Sequence, residues 1–196
     1  MRIDQIMIRA MLNNKEVGEY AAAVKLSEAW YFIPMAITSS VFPAILNSKK
    51  TDEKIYIRRL ENLYGFMIVM ATIIAVIVTF LNREIIIVTY GSKYIEAAGP
   101  LAINIWAGIF VAMGVASSNW LLAEDLLKFS MYSTIIGAFV NIILNFVLIP
   151  IYGINGAAID TVISYFIAGY FSLIFWRETR PNFWMLSKSI LFRKYF

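Results

Sequence analysis

The sequence contains no cysteine and no histidine. The first absence excludes disulfides and thiolate chemistry. The second removes the commonest metal ligand and general base. Charge is scarce as well: Asp, Glu, Lys and Arg together make up 15% of 196 residues, against roughly 25% in soluble domains. No glycine-rich phosphate loop follows a strand, and no nucleophile–histidine pair can exist, so the soluble-enzyme templates fail. No signal peptide is evident, because Asp4 stands where an apolar run would be forming.

What is present is apolar. Hydrophobic residues make up 60% of the chain and mean hydropathy is +0.70. Ile, Phe, Met and Tyr come in long blocks, which is the transmembrane signature. The formal charge of +4 is concentrated in loops and the tail. It reads as membrane topology rather than nucleic-acid binding.

The blocks predict an all-α polytopic membrane protein: a six-helix bundle over residues 1–176, its first helix cut short, and a basic amphiphilic tail over 177–196. Residues 3–12 are apolar but span only about half a bilayer at about 1.5 Å per residue. The chain therefore reads as a fragment that begins in the middle of a helix. A polar connector at 13–18 leads to a second helix over 19–46, which Pro34 should kink. A hydrophilic loop covers 47–62. The third helix, 63–81, has no charge. Residues 83–97 form an interfacial segment with a turn at Gly91-Ser92. The fourth helix covers 98–123, with Pro100 in its first turn. The fifth covers 127–149 and stops at Pro150. A turn at 152–156 precedes the sixth, 157–176.

Orientation follows from the connectors. One side holds Lys49, Lys50, Lys54, Arg58, Arg59, Lys128, Arg177, Arg180, Lys188, Arg193 and Lys194; the other holds Lys15, Arg83 and Lys93. The positive-inside rule places the first group, and with it the C-terminus, in the cytoplasm.

Charges inside apolar helices are expensive and normally face a wet cavity or a partner. The first helix places Arg2, Gln5 and Arg9 on one face and turns Asp4 away from it, so Asp4 needs a partner on another helix. Lys25 and Glu28 lie within reach of each other on the second helix. Asp4, Lys25 and Glu28 are expected to share a water-filled groove, while Arg9 lies near the helix end, where it can snorkel. Ser130, Thr134, Gly137, Asn141 and Asn145 form one polar face of the fifth helix. Gly156, Asp160 and Ser164 line up on the sixth, and Asn104, Gly108 and Ser118 on the fourth. Such rows serve helix packing or line a cavity, and spacing does not decide between them. Asp160, close to the 152–156 turn, is open to interfacial exposure or function. Trp30, Tyr31, Phe32, Trp106, Trp120 and Trp176 fit the core or the interfacial belt.

Four segments carry a resemblance. They are Arg2-Ile3-Asp4-Gln5-Ile6-Met7 with Val17-Gly18-Glu19-Tyr20-Ala21-Ala22-Ala23-Val24-Lys25-Leu26-Ser27-Glu28, then Phe42-Pro43, then Tyr90-Gly91-Ser92-Lys93-Tyr94-Ile95-Glu96-Ala97, and finally Ile149-Pro150-Ile151-Tyr152-Gly153-Ile154-Asn155-Gly156-Ala157-Ala158. In that order and spacing the chain resembles the second half of a polysaccharide (O-antigen) flippase of the Wzx type. That family shares a superfamily with multidrug exporters and the peptidoglycan lipid flippase. The resemblance implies one half of a twelve-helix exporter. It implies translocation of undecaprenyl-diphosphate-linked oligosaccharide across the bacterial inner membrane by alternating access, coupled to H+ or Na+ and without a cofactor. Its partners would be the lipid-linked oligosaccharide, membrane lipids, a missing N-terminal half, and polysaccharide polymerase or assembly proteins. Lys25 and Arg2 suit a diphosphate; Ser130, Thr134, Asn141 and Asn145 suit sugars; Asp4 and Glu28 suit the coupling cation. A multidrug exporter and a non-transporting scaffold are the competing readings. As a lone fragment the chain is expected not to transport.

Overall fold

The computed structural model describes residues 2–190, with side chains from Ile3 onward. Arg2's side chain and the tail residues Phe192, Arg193 and Lys194 lie outside the described residues. Every described element is helical: α1 (Arg2–Met11), α2 (Asn14–Glu28), α3 (Phe32–Lys49), α4 (Glu53–Phe80), α5 (Asn82–Tyr90), α6 (Ala98–Asn104), α7 (Ala107–Ala123), α8 (Leu127–Gly169) and α9 (Arg180–Ile190), with 3-10 turns at Ser92–Ala97 and Phe171–Ile174.

Asn14–Lys49, Glu53–Phe80 and Leu127–Ile174 are long and apolar enough to cross a membrane, and Ser92–Asn104 with Ala107–Ala123 makes a fourth span across a 46° bend. The protein is an all-α polytopic membrane protein. With no water in the hydrocarbon layer, the backbone must satisfy itself, and helices are one of two ways to do so.

The helix ends follow local chemistry. Asn13 accepts the Glu16 N–H at 3.0 Å and starts α2; Asp52 accepts the Lys54 N–H at 2.8 Å and starts α4. These caps explain two corrections. The connector at 13–18 is mostly the first turn of α2. The hydrophilic stretch 47–62 is mostly helix, with a turn only at 50–52. The kink expected from Pro34 is present as the break at 29–31: Pro34 has no N–H for the Trp30 carbonyl four residues earlier, which accepts from the Ile33 N–H at 2.9 Å instead. The fourth helix breaks as well, between α6 and α7. The turn expected at Gly91 is present, with φ +85°.

Pro150 does not end a helix. The break is at Gly153, with φ 58° and ψ −139°, a conformation essentially reserved for glycine. There α8 folds back on itself. A Cβ on Gly137 would meet the Ala168 Cβ at 2.7 Å, and one on Gly156 would meet the Leu148 carbonyl oxygen at 2.2 Å. These pairs run in opposite directions, so the limbs 127–152 and 154–169 form a tight antiparallel hairpin joined by small residues. The stretch Leu127–Ile174 is thus two antiparallel limbs and not one straight rod.

The apolar core divides into separate clusters. Trp30, Phe42, Tyr64, Met67, Met113, Trp120 and Leu186 belong to the cluster of α3, α4, α7 and α9. Met7, Ile8, Tyr20, Val24, Ile149 and Ala157 form a second, between α1, α2 and the hairpin's closed end. The tail contributes to the first. Asn182 of α9 is fully buried, accepts from the Tyr64 hydroxyl at 2.8 Å and donates to Ser117 Oγ at 2.6 Å.

Candidate functional site

Asp4 is completely buried. Asn145 of α8 donates its side-chain amide to Asp4 Oδ1 at 2.8 Å. The Tyr20 hydroxyl lies 3.4 Å from Asp4 Oδ2 and 3.1 Å from Thr161 Oγ1. One turn along the same limb as Asn145, Asn141 donates to Asp160 Oδ2 at 2.5 Å, and Ser164 donates to Asp160 Oδ1 at 2.9 Å. Asp160 is also fully buried. Two carboxylates thus sit within the bundle, each held by an asparagine from a single helical face.

The positions follow from the hairpin. Asn141 and Asn145 are four apart and share a face. The fold-back at Gly153 brings Asp160, Thr161 and Ser164 opposite them, and α1 lies against both. Taking a carboxylate out of water costs several kcal/mol unless hydrogen bonds satisfy it, and these donors offset part of that. The asparagines themselves are left incomplete. Their amide nitrogens are engaged by the carboxylates, while Oδ1 of Asn141 and Oδ1 of Asn145 are buried with no hydrogen-bond partner. An unmade hydrogen bond of this kind costs roughly 1–3 kcal/mol.

The donor set consists of carboxylate, amide and hydroxyl oxygens. Such a set suits a hard cation or a proton and not a soft metal. A cation entering beside the two orphaned amide oxygens would be coordinated by them, and a proton on either carboxyl would make it an O–H donor to the neighbouring amide oxygen.

The structure brings Asp4, Asn141 and Asn145 into this centre and leaves the other expected residues elsewhere. Lys25 and Glu28 are exposed on α2, and no ion pair joins them; Lys15 pairs with Glu19 at 3.4 Å and Lys49 with Glu124 at 2.6 Å. Glu28 is not among the hydrogen-bond partners of Asp4. Thr134 is exposed and its hydroxyl bonds back to the Ser130 carbonyl oxygen at 2.9 Å. Ser130 lies half-buried, 3.4 Å from Ser118 Oγ. The buried polar row of the first limb is Ser133, Gly137, Asn141 and Asn145, so the expected row was one position off at its start. Arg2's side chain, expected to meet a diphosphate, lies outside the described residues.

Asp160, Tyr20 and Thr161 were not assigned to a site from sequence. A carboxylate within an apolar span was the available signal for Asp160. Its nearness to the turn masked it. Tyr20 and Thr161 gave no sign, because only the contact of α2 with the hairpin reveals them.

Comparisons agree with the membrane architecture. No family model and no solved structure matches the chain. A curated relative named "Uncharacterized membrane protein MJ1068", from Methanocaldococcus jannaschii, is 30% identical over 131 residues, covering 67% of this chain and 26% of the relative. Two relatives from Haloferax volcanii match over 167 residues each. "Probable flippase AglR" is 28% identical and "Probable low-salt glycan biosynthesis flippase Agl15" 25%; each match covers 83% of this chain and 35% of the relative. The chain is similar to membrane proteins named as flippases. It spans about a quarter to a third of the length of these relatives. All three are archaeal, so they support a flippase-like membrane family without pointing to the Wzx type or to a bacterial membrane.

Proposed function

We propose that the chain is part of a transporter moving a polyprenyl-diphosphate-linked oligosaccharide across a cytoplasmic membrane, coupled to a cation bound between Asp4, Asp160, Asn141 and Asn145. The observation that carries the coupling half is the pair of buried, partnerless amide oxygens beside two buried carboxylates. A cation entering there coordinates both oxygens, which are otherwise buried without a partner. Na+ fits this oxygen set. The similarity to two proteins named as flippases supports the transport half.

Lys25 supplies the cationic contact. It is exposed in the middle of a membrane-crossing segment, Asn14–Lys49, where an ammonium is costly unless it faces water or an anion. A diphosphate provides that anion. Alternating access would expose the Lys25 face to one side and then the other. The undecaprenyl carrier and the bacterial inner membrane of the Wzx resemblance remain the finer form of this reading, with the C-terminus in the cytoplasm.

The experiment is a binding titration of the protein in nanodiscs with farnesyl diphosphate and with farnesol. The expected result is binding of the diphosphate, no measurable competition by farnesol, and a tenfold or greater loss of affinity in Lys25→Ala. Equal competition by farnesol, or full affinity in Lys25→Ala, overturns the reading.

A further inference from the structure

We propose that Lys128, Arg177 and Arg180 form a binding site for the headgroup of an anionic phospholipid at the open end of the α8 hairpin. The site lies at the opposite end of the hairpin from the Gly153 turn and does not rest on the flippase reading.

The hairpin brings these cations together. Leu127 and Ile174 bound a stretch apolar enough to cross a membrane, and its limbs run antiparallel, so residues at its two ends meet. Ring contacts fix the meeting. Trp176 packs on Phe129 with centroids 5.3 Å apart and on Tyr132 at 6.0 Å. The Lys128 ammonium lies over the same Phe129 ring, 5.1 Å from its centroid. Arg177 follows Trp176 directly. Arg180 is folded back onto this turn: its backbone N–H donates to the Trp176 carbonyl at 3.3 Å and its Nε to the Ile174 carbonyl at 3.1 Å. The two terminal nitrogens of its guanidinium make no hydrogen bond among the described residues, which leaves a fork for phosphate. All three cations are exposed, and none makes an ion pair among the described residues. The neighbouring carboxylates Asp125 and Glu178 are exposed too and pair with none of them. Three cations against two carboxylates leave the patch positive.

An apolar surface runs on from the cations and decides the occupant. Met131, Ile135, Phe171 and Phe175 are exposed along the two limbs. A free phosphate has no use for them, whereas acyl chains cover them. Aromatic rings beside cations at the end of a span mark the headgroup level. The patch is on the side that the positive-inside rule assigns to the cytoplasm, where anionic lipid attracts basic clusters next to a span. A lipid whose phosphate meets Arg180 and Lys128, and whose chains lie on the limbs, matches both halves of the surface.

The test titrates dioctanoyl phosphatidylglycerol into the full chain in detergent micelles, with dioctanoyl phosphatidylcholine and inorganic phosphate as comparison ligands. Phosphatidylglycerol should bind saturably and about tenfold or more tighter than phosphatidylcholine, and inorganic phosphate should not displace it. Lys128→Gln, which removes no hydrogen bond, should weaken phosphatidylglycerol by about fivefold. The Lys128→Gln, Arg180→Gln double variant should bring it down to the phosphatidylcholine level. The Lys54→Gln, Arg58→Gln pair removes two exposed charges from α4 on the same side and should leave the affinity unchanged. Equal affinity for the two lipids overturns the site. Equal losses in the two double variants overturn it as well, because diffuse surface charge then accounts for the binding. Displacement by inorganic phosphate overturns the lipid as occupant. Should the Lys128, Arg180 variant fail to fold, Lys128→Gln alone decides, and full affinity there overturns the site.

Discussion

Asn145 and Asp4, 141 positions apart, meet through a 2.8 Å hydrogen bond from the asparagine amide to the aspartate Oδ1. This contact ties α1 to the helical hairpin inside an otherwise apolar cluster of Met7, Ile8, Tyr20, Ile149 and Ala157. Asn145→Leu leaves a buried carboxylate short of one donor. It should destabilise the protein by about 1–3 kcal/mol, read as a shift in unfolding midpoint in mixed micelles. No shift would mean that the contact does not hold α1.

The hairpin depends on two glycines for different reasons. Gly153→Ala forces a Cβ onto a backbone at φ 58°, ψ −139°, where the strain is about 1–3 kcal/mol. Gly156→Ala pushes a Cβ against the Leu148 carbonyl, which belongs to the facing backbone and has nowhere to go. The Gly156 variant should therefore be the more damaged of the two, measured as the yield of monodisperse protein and its unfolding midpoint. The reverse order would contradict the close approach of the two limbs.

Helix α9 is anchored by a side chain and not by apolar area alone. Asn182 bridges Tyr64 and Ser117. Asn182→Leu strands both hydroxyls in the core and should cost about 1–2 kcal/mol, the upper range for polar contacts between membrane helices. Limited proteolysis should then cut between α8 and α9 faster than in the parent protein. Equal cutting rates would show that apolar packing of Met185 and Leu186 suffices.

The helical class, the turn at Gly91 and the hairpin turn near Gly153 were legible in the sequence, because apolar blocks and glycines mark them directly. The break at 29–31 was legible as well, because Pro34 withholds the N–H that the Trp30 carbonyl would accept. The break at 105–106 was not, because no glycine or proline sits in it. In the centre, Asp4 was recognised as needing a partner on another helix, and the Asn141–Asn145 face was seen. Asp160 was left undecided, because distance from a turn does not say how tightly the turn closes. Lys25 and Glu28 were expected beside Asp4. They lie instead on the exposed side of α2, since Tyr20 and not Lys25 occupies the face turned toward the hairpin.

The most direct test of the cation centre is the unfolding midpoint of the purified protein in sodium chloride against choline chloride at equal ionic strength. A ligand bound only by the folded state stabilises it by about 1.4 kcal/mol at roughly ten times its Kd. Sodium should raise the midpoint by several degrees in the parent protein, and Asp4→Asn and Asp160→Asn should each abolish the rise while remaining folded. Identical midpoints in the two salts for the parent protein, or an undiminished sodium effect in both variants, would contradict a cation held between Asp4 and Asp160.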